Sequence, residues 1–398
     1  FFWVARMIMS GLEFMGEVPF SRIYIHGTVR AQSGLKMSKS LGNAIDPLEV
    51  IDEMGADALR YSIVMLSAQD VYLSREKFEV GRNFTNKLWN ASRFVFMNLK
   101  DFEKGTSTLD LDIPKLPLPD RWILSRLGKI AADLDGYLGA FSLSQAASEL
   151  YHFVWNDFCD WYIELAKPTL TGASAEEKEK TQKVLFYVLE KILRLLHPFM
   201  PFVTEEIWEL LKGAAADKAN WPASLMLASW PSGNNVCADD AAETSVELLQ
   251  KAVSGIRDLR VHLNIPPAQT LGAVIFSKDR KILDMFSGFS SQIKILARLS
   301  DLEFRADFQK TNAYVGNAFP EFEVLIRIEG ILDPAKERER LAKKVAETAA
   351  YVKSLAGKLA NENFVKNAPQ DIVEKEKEKL ADAEKVLKTH EEHLRIFQ

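Results

Sequence analysis

The sequence predicts a mainly α, multidomain protein. It should contain a partial doubly wound α/β fold, a helical bundle, a small α/β unit and an antiparallel coiled-coil hairpin. Three observations predict this. At 398 residues the chain exceeds what one compact core holds. Its middle is made of long segments with helical apolar spacing and short breaks. Its last stretch, 331–398, repeats apolar residues at heptad spacing.

Residues 1–58 read as the last part of a doubly wound fold. Val4–Phe14 has helical spacing that stops at Gly16, and Arg22–Val29 alternates like a strand entering a core. The loop Gly34–Asn43 follows, with two lysines, two serines and two glycines. Asp46-Pro47 then opens the helix Leu48–Met54, with aspartate as N-cap and proline in the first turn. A strand feeding a loop that feeds a helix is where such folds bind phosphates, through backbone N–H groups, hydroxyls and ammonium groups. His26-Gly27 ends the strand beside that loop.

The region 59–115 is helical and ends in a linker. Gly55–Arg60 stops one helix and starts the next, Asp70–Ser74 is a short extended piece, and Arg82–Leu99 is a long helix. Phe84, Leu88, Ala91 and Val95 form its apolar stripe. Its other side carries Arg82, Asn86, Lys87, Asn90 and Arg93, side-chain types that donate to phosphates and bases. Phe94 stands one turn off the stripe, where it can pack in the core or stack on a base. Lys104–Pro119 is polar and then proline-rich.

The region 116–267 is a bundle. Arg121–Leu138, Ser142–Leu165 and Ala175–Leu196 are helices broken at Gly139 and Pro168–Gly172. The aromatic cluster from Tyr151 to Tyr162, Trp155 included, is expected in its core. Thr204 is expected to cap the next helix, and Glu243–Val261 to form another. In 268–330, Leu271–Phe276, Leu302–Arg305 and Glu323–Ile328 read as strands, with a helix near Arg280–Phe286. In 331–398, Leu341, Val345, Thr348, Val352, Leu355 and Leu359 form one heptad seam. Val373, Leu380, Ala383, Leu387, Leu394 and Phe397 form a second. Lys343 and Lys344 belong to the dense basic content of the first of these helices.

Several function classes are set aside. No apolar run is long enough to span a membrane and no signal peptide is recognisable, so no membrane partner is expected. Cys159 and Cys237 share no paired spacing, which argues against a disulfide framework or zinc knuckle and fits a reducing cytoplasm. His390 and His393 have no third ligand beside them, so no metal site is expected. The net charge of −5 gives no overall attraction for nucleic acid, although a local basic face can carry such a contact. Because Phe1-Phe2-Trp3 opens without methionine or capping residues, the chain is expected to begin inside a domain.

Lys36-Met37-Ser38-Lys39-Ser40 resembles, letter for letter, the second ATP-binding signature of class I aminoacyl-tRNA synthetases. Gly55–Arg60, Arg82–Phe94, Trp155–Glu164 and His197–Trp208 follow in the order seen in the valine, isoleucine and leucine enzymes. The hairpin after Ile331–Pro334 looks like the C-terminal arm of the valyl-tRNA synthetase family, and the cysteine-rich end of the isoleucine enzymes is missing. The resemblance therefore implies the C-terminal portion of that family over essentially the whole chain. The family's earlier signature, His-x-Gly-His, and its editing insert are not found, so this portion alone is expected to be inactive. The alternatives are a non-catalytic tRNA-binding or scaffolding protein, or a related isoleucine, leucine or methionine enzyme.

The resemblance also implies roles. The family activates valine with ATP, its carboxylate attacking the α-phosphate as pyrophosphate leaves, and then esterifies the 3′ end of cognate tRNA. Lys39, then Lys36, would stabilise charge growing on the phosphoryl oxygens. Ser38 and Ser40 would donate to phosphates, Met37 would anchor the loop, and His26 and Gly27 would lie near adenine and ribose. Mg²⁺ would accompany ATP, held mostly by phosphates. Arg82, Asn86, Lys87, Asn90, Arg93 and Phe94, with the bundle at 116–267, would face the anticodon side of tRNA, and Lys343 and Lys344 its backbone. A cytoplasmic monomer is implied.

Overall fold

The computed structural model describes residues 2–31, 37, 43–66, 71–100, 102, 109–216, 218–231, 238–266, 268–309, 311, 313–330, 334–360 and 370–395. It divides into two units, Phe1–Glu243 and Thr244–Gln398.

In the first unit, α1 (Phe2–Ser10) continues into a π-helical turn, Gly11–Met15. The turn ends at Gly16, whose φ of 75° suits glycine. The expected strand at 22–29 is shorter and later. Only β1 (Val29–Ala31) is regular, pairing in parallel with β2 (Val71–Leu73), Val29 opposite Val71. No described strand flanks 22–28, so that stretch lacks a ladder partner. Instead Arg22 lies 5.7 Å from the Phe141 ring and Tyr24 stands 6.1 Å from it.

Helix α2 (Pro47–Met54) starts as expected, with Asp46 accepting from the Leu48 N–H at 2.9 Å. Gly55, at φ 95°, separates it from α3 (Ala56–Leu66). Helix α4 (Glu79–Asn98) buries Phe84, Leu88, Ala91 and Val95. It crosses α3 closely at Gly81, where a Cβ would stand 2.4 Å from the Ala58 carbonyl oxygen.

The bundle comprises α5 (Leu118–Gly139), α6 (Leu143–His152), a π-helical stretch (Phe153–Tyr162), α7 (Ile163–Gly172), α8 (Ala175–Leu196) and α9 (Pro201–Gly213). Pro168 does not break the chain, because the helix runs through it to Gly172. A single proline removes only one backbone bond, which the packed α7–α8 pair tolerates. Thr204 is not the cap expected. Helix α9 begins at Pro201, and Thr204 Oγ1 donates to the Met200 carbonyl at 2.7 Å. The N-terminal N–H groups of Phe202 and Val203 are taken by Asp57 of α3, at 3.2 and 2.6 Å. Within the bundle Asp120, Tyr162 and Thr181 form a buried triad. Tyr162 Oη and Thr181 Oγ1 donate to the Asp120 carboxylate at 2.6 and 2.7 Å.

Helix α10 (Asp240–His262) begins in the first unit and runs on in the second. Within the second unit, β3 (Leu271–Phe276), β4 (Leu299–Arg305), β5 (Tyr314–Ala318) and β6 (Glu323–Arg327) form a sheet in the order β4-β3-β6-β5. Strands β3 and β4 are parallel and the other pairs antiparallel. Helices α11 (Arg280–Gly288) and α12 (Ser290–Ala297) connect β3 to β4. Strand β5 and helix α12 were not foreseen. β5 holds Gly316 and Asn317, poor strand formers that pair because β6 offers an edge.

Helices α13 (Pro334–Ala360) and α14 (Gln370–Arg395) pack side by side, each about 40 Å long. Thr348 faces His390 and Lys358 faces Glu376, so the pair is antiparallel. Every expected seam residue that is described is buried or half-buried; Phe397 lies outside the described residues. The seam also holds an unforeseen charge. Glu376 is buried and bridges to Lys358 at 3.1 Å and Lys379 at 2.9 Å.

Candidate nucleic-acid interface

Of the loop residues, Lys36, Ser38, Lys39 and Ser40 lie outside the described residues. Met37 is half-buried against the core of Val50 and Phe78, together with Val29, Ile45 and Leu59. His26 is exposed, and its Nδ1 bonds the Gly27 carbonyl at 2.8 Å. Asp46 caps α2, and Arg75 pairs with Glu49 at 2.9 Å and Glu53 at 2.8 Å on that helix.

Helix α4 positions the expected tRNA-facing residues. A 100° step per residue places Arg82, Asn86, Asn90 and Arg93 on one stripe, opposite the buried Phe84–Val95 stripe. Asn86, Asn90 and Arg93 are exposed and Arg82 half-buried. Trp89 shares their stripe and is 36% exposed, a residue the sequence reading passed over. Its signal was spacing: it is three residues from Asn86 and four from Arg93.

Lys87 and Phe94 flank this stripe on the side of the π-helical segment and α7. Lys87 Nζ sits 2.5 Å from Asp160 and 5.0 Å from the Trp155 ring. Trp155 stacks on Tyr151, with centroids 5.2 Å apart and planes inclined by 19°. Trp155 is therefore half-buried at the bundle surface, not in its core as expected, whereas Phe153, Phe158 and Tyr162 are buried. The i, i+4 spacing of Tyr151 and Trp155 puts both on one helical edge, and the Lys87–Asp160 pair holds that edge against α4. Phe94 is half-buried, with Lys167 Nζ 5.7 Å from its ring. Burial raises the Tyr151 hydroxyl above its usual pKa, reinforced by Asp160 and opposed by Lys87. Burial also pushes the Cys159 thiol up to about 12, so it is an inert core group. Cys237 lies outside the described residues.

Lys343 and Lys344 are exposed on α13 in the second unit. The arginines of α10 are structural. Arg257 donates to the Leu296 carbonyl at 2.9 Å, and Arg260 to those of Pro266 at 2.9 Å and Gln269 at 2.5 Å. Among the described residues no group of three His, Cys, Asp or Glu could hold a metal ion. None of the described helices is long and apolar enough to cross a membrane.

A stripe of amide and guanidinium donors beside a cation-capped aromatic stack can meet phosphates and unpaired bases. Comparisons with known proteins agree with that chemistry. Residues 1–74 match the family of tRNA synthetases class I (I, L, M and V). Residues 120–275 match the anticodon-binding domain of tRNA ligase, and 333–396 the valyl tRNA synthetase tRNA binding arm. The chain is similar to a valine–tRNA ligase of Syntrophotalea carbinolica, 44% identical over 390 residues, covering 97% of this chain and 42% of that protein. One of Geobacter sulfurreducens is 43% identical over 390 residues, covering 96% of this chain and 42% of that protein. The chain thus spans about 42% of the length of these curated relatives. Among solved structures, it resembles the LeuRS of a ternary complex from Agrobacterium radiobacter K84. The TM-score is 0.43 and the identity 20%, over 58% of this chain and 27% of that one.

Proposed function

The chain belongs to the valine–tRNA ligase family of class I tRNA synthetases, and from that premise we propose that it is the part of such a ligase that holds valine-specific tRNA and closes one side of the ATP site. The observation that carries this reading is the Arg82–Asn86–Asn90–Arg93 stripe, exposed except at the half-buried Arg82, beside the Lys87–Trp155–Tyr151 stack. In sequence the stripe lies between a segment matched by class I synthetases and one matched by their anticodon-binding domain, and Tyr151 and Trp155 lie within the latter. Phe94 flanks the same surface, and Lys343 and Lys344, on an antiparallel coiled-coil arm, would supply further phosphate contacts.

In the complete ligase the valine carboxylate attacks the α-phosphate of ATP and pyrophosphate leaves. Lys39, aided by Lys36, is assigned the charge that develops there, with Ser38 and Ser40 as donors. Met37 supports the reading, being half-buried against Val50 of α2 and Phe78. His26 and Gly27 are assigned to the adenosine side. Mg²⁺ enters with ATP on its phosphates. The ligase is assigned to the cytoplasm as a monomer. In a protein that joins this chain to the remainder of the ligase, Lys39→Ala should slow valine-dependent pyrophosphate exchange by about 10²–10³. An unchanged exchange rate would reject the assignment.

A further inference from the structure

Helices α13 and α14 meet along two heptad seams. A heptad repeat slipped by one heptad again sets apolar positions against apolar positions, so burial alone does not choose between such registers. The connection does not choose either. The helices are separated by residues 361–369, a longer link than the roughly two to five residues that fix the geometry of a tight helix hairpin. Among the described seam residues, Thr348, Glu376 and His390 are the ones that are not apolar. Each has a polar partner on the opposite helix. Thr348 and His390, both half-buried, share a hydrogen bond of 3.2 Å between Oγ1 and Nδ1. Glu376 is 7% exposed and meets Lys358 at 3.1 Å. Its second bridge, to Lys379 at 2.9 Å, lies within α14 and is the same in every register.

A slip of one heptad breaks both contacts. In one direction it sets Thr348 against Ala383 and His390 against Leu341, and in the other it sets His390 against Leu355. Either slip moves Glu376 about 10 Å along the seam from Lys358, at about 1.5 Å per residue. A carboxylate, a hydroxyl and an imidazole would then lie in the seam without their partners across it, which is unfavourable. Strength of packing does not account for these residues. Leucine at the same positions would bury more apolar surface, and a buried ion pair adds little stability over such a replacement. We propose that the Thr348–His390 and Lys358–Glu376 contacts are a register lock, which holds the hairpin in one of several pairings that its apolar seams would accept. The lock also fixes which α14 side chains stand beside Lys343 and Lys344, and so the charge pattern of the arm.

The test reads register directly, from electron spin resonance distances between labels at Ala342→Cys and Lys377→Cys in the full chain. Both positions are exposed and lie far apart along the hairpin, so a slip of one heptad changes their axial separation by about 10 Å. Cys237→Ser removes a competing thiol, and the buried Cys159 takes no label. The expected result is one distance for this chain. Two or more distances are expected once Thr348→Val, Glu376→Leu and His390→Leu are added, with helix content kept and the melting temperature equal or higher. An apolar variant that keeps a single, unchanged distance overturns the proposal, because the seams then choose the register unaided. Several distances before any of these three substitutions would also overturn it. So would loss of helix content in the apolar variant, since the polar residues would then hold the helices together rather than select their pairing.

Discussion

Asp57 and Val203 are 146 positions apart and joined by a 2.6 Å hydrogen bond from the Val203 N–H to the Asp57 carboxylate. A residue of α3 thereby caps α9, and Arg60, one turn on, donates to the Pro198 carbonyl at 3.2 Å. The Gly55–Arg60 motif is thus a clasp between α3 and the bundle. Burial raises the Asp57 carboxyl above its ordinary pKa, although the two N–H groups, Arg60 and His197 pull it down. Asp57→Ala leaves two helix-end donors without their cap and should cost about 1–2 kcal/mol, with Asp57→Asn milder. Chemical denaturation of the two variants decides this; equal stability of wild type and Asp57→Ala would remove the clasp.

Gly81 is needed for a close helix crossing. An added Cβ would sit 2.4 Å from the Ala58 carbonyl oxygen and 2.8 Å from its Cα, backbone atoms that cannot turn aside. Gly81→Ala should therefore destabilise the first unit by about 1–3 kcal/mol despite alanine's better helix propensity. A stabilised variant in thermal melts would mean that α3 and α4 do not cross this closely.

Burial pushes the Asp120 carboxyl up to about 6, held back by the bonds from Tyr162 and Thr181. The folded protein then keeps a proton there that the unfolded chain has released. This contribution to stability is fully present below about pH 3.8 and is lost as pH rises through about 6. Its size is on the order of 2–3 kcal/mol. Asp120→Asn should flatten the stability–pH curve between pH 4 and 6 relative to wild type, as read by denaturation midpoints at each pH. Parallel curves would show that Asp120 titrates normally.

At the candidate interface, Trp155→Ala should weaken tRNA binding about tenfold, with Trp155→Phe closer to wild type, because stacking needs only a π-face. Lys87→Ala should reduce the salt slope by about one. Filter binding across salt concentrations measures both. If neither variant alters affinity, the stack serves the bundle surface only.

What could be read from the sequence followed the range of the interactions. The Leu341–Leu359 and Val373–Leu394 seams, the Asp46-Pro47 cap and the Phe84–Val95 stripe are set by neighbours within a few residues, so periodicity revealed them. The Asp57 cap could not be read, because its partner is in a different helix. Thr204 looked like a cap for a related reason, since a local hydroxyl that could accept from a helix-start N–H is indistinguishable in sequence from one whose place is already taken by a tertiary acceptor. Arg22–Thr28 has strand alternation but no described neighbour to pair with. Trp155 was assigned to the core because its composition is aromatic, whereas its exposure depends on how α4 lies across it.

The most direct measurement is the affinity of this chain for tRNA carrying a valine anticodon against the same tRNA with its anticodon replaced, at one salt concentration. A chain that holds valine-specific tRNA through the α4 stripe and the bundle should prefer the valine anticodon by roughly 10–100-fold, or about 1–3 kcal/mol. Equal affinity for the two would contradict anticodon reading by these residues, and no measurable affinity for either would contradict the tRNA-holding function itself.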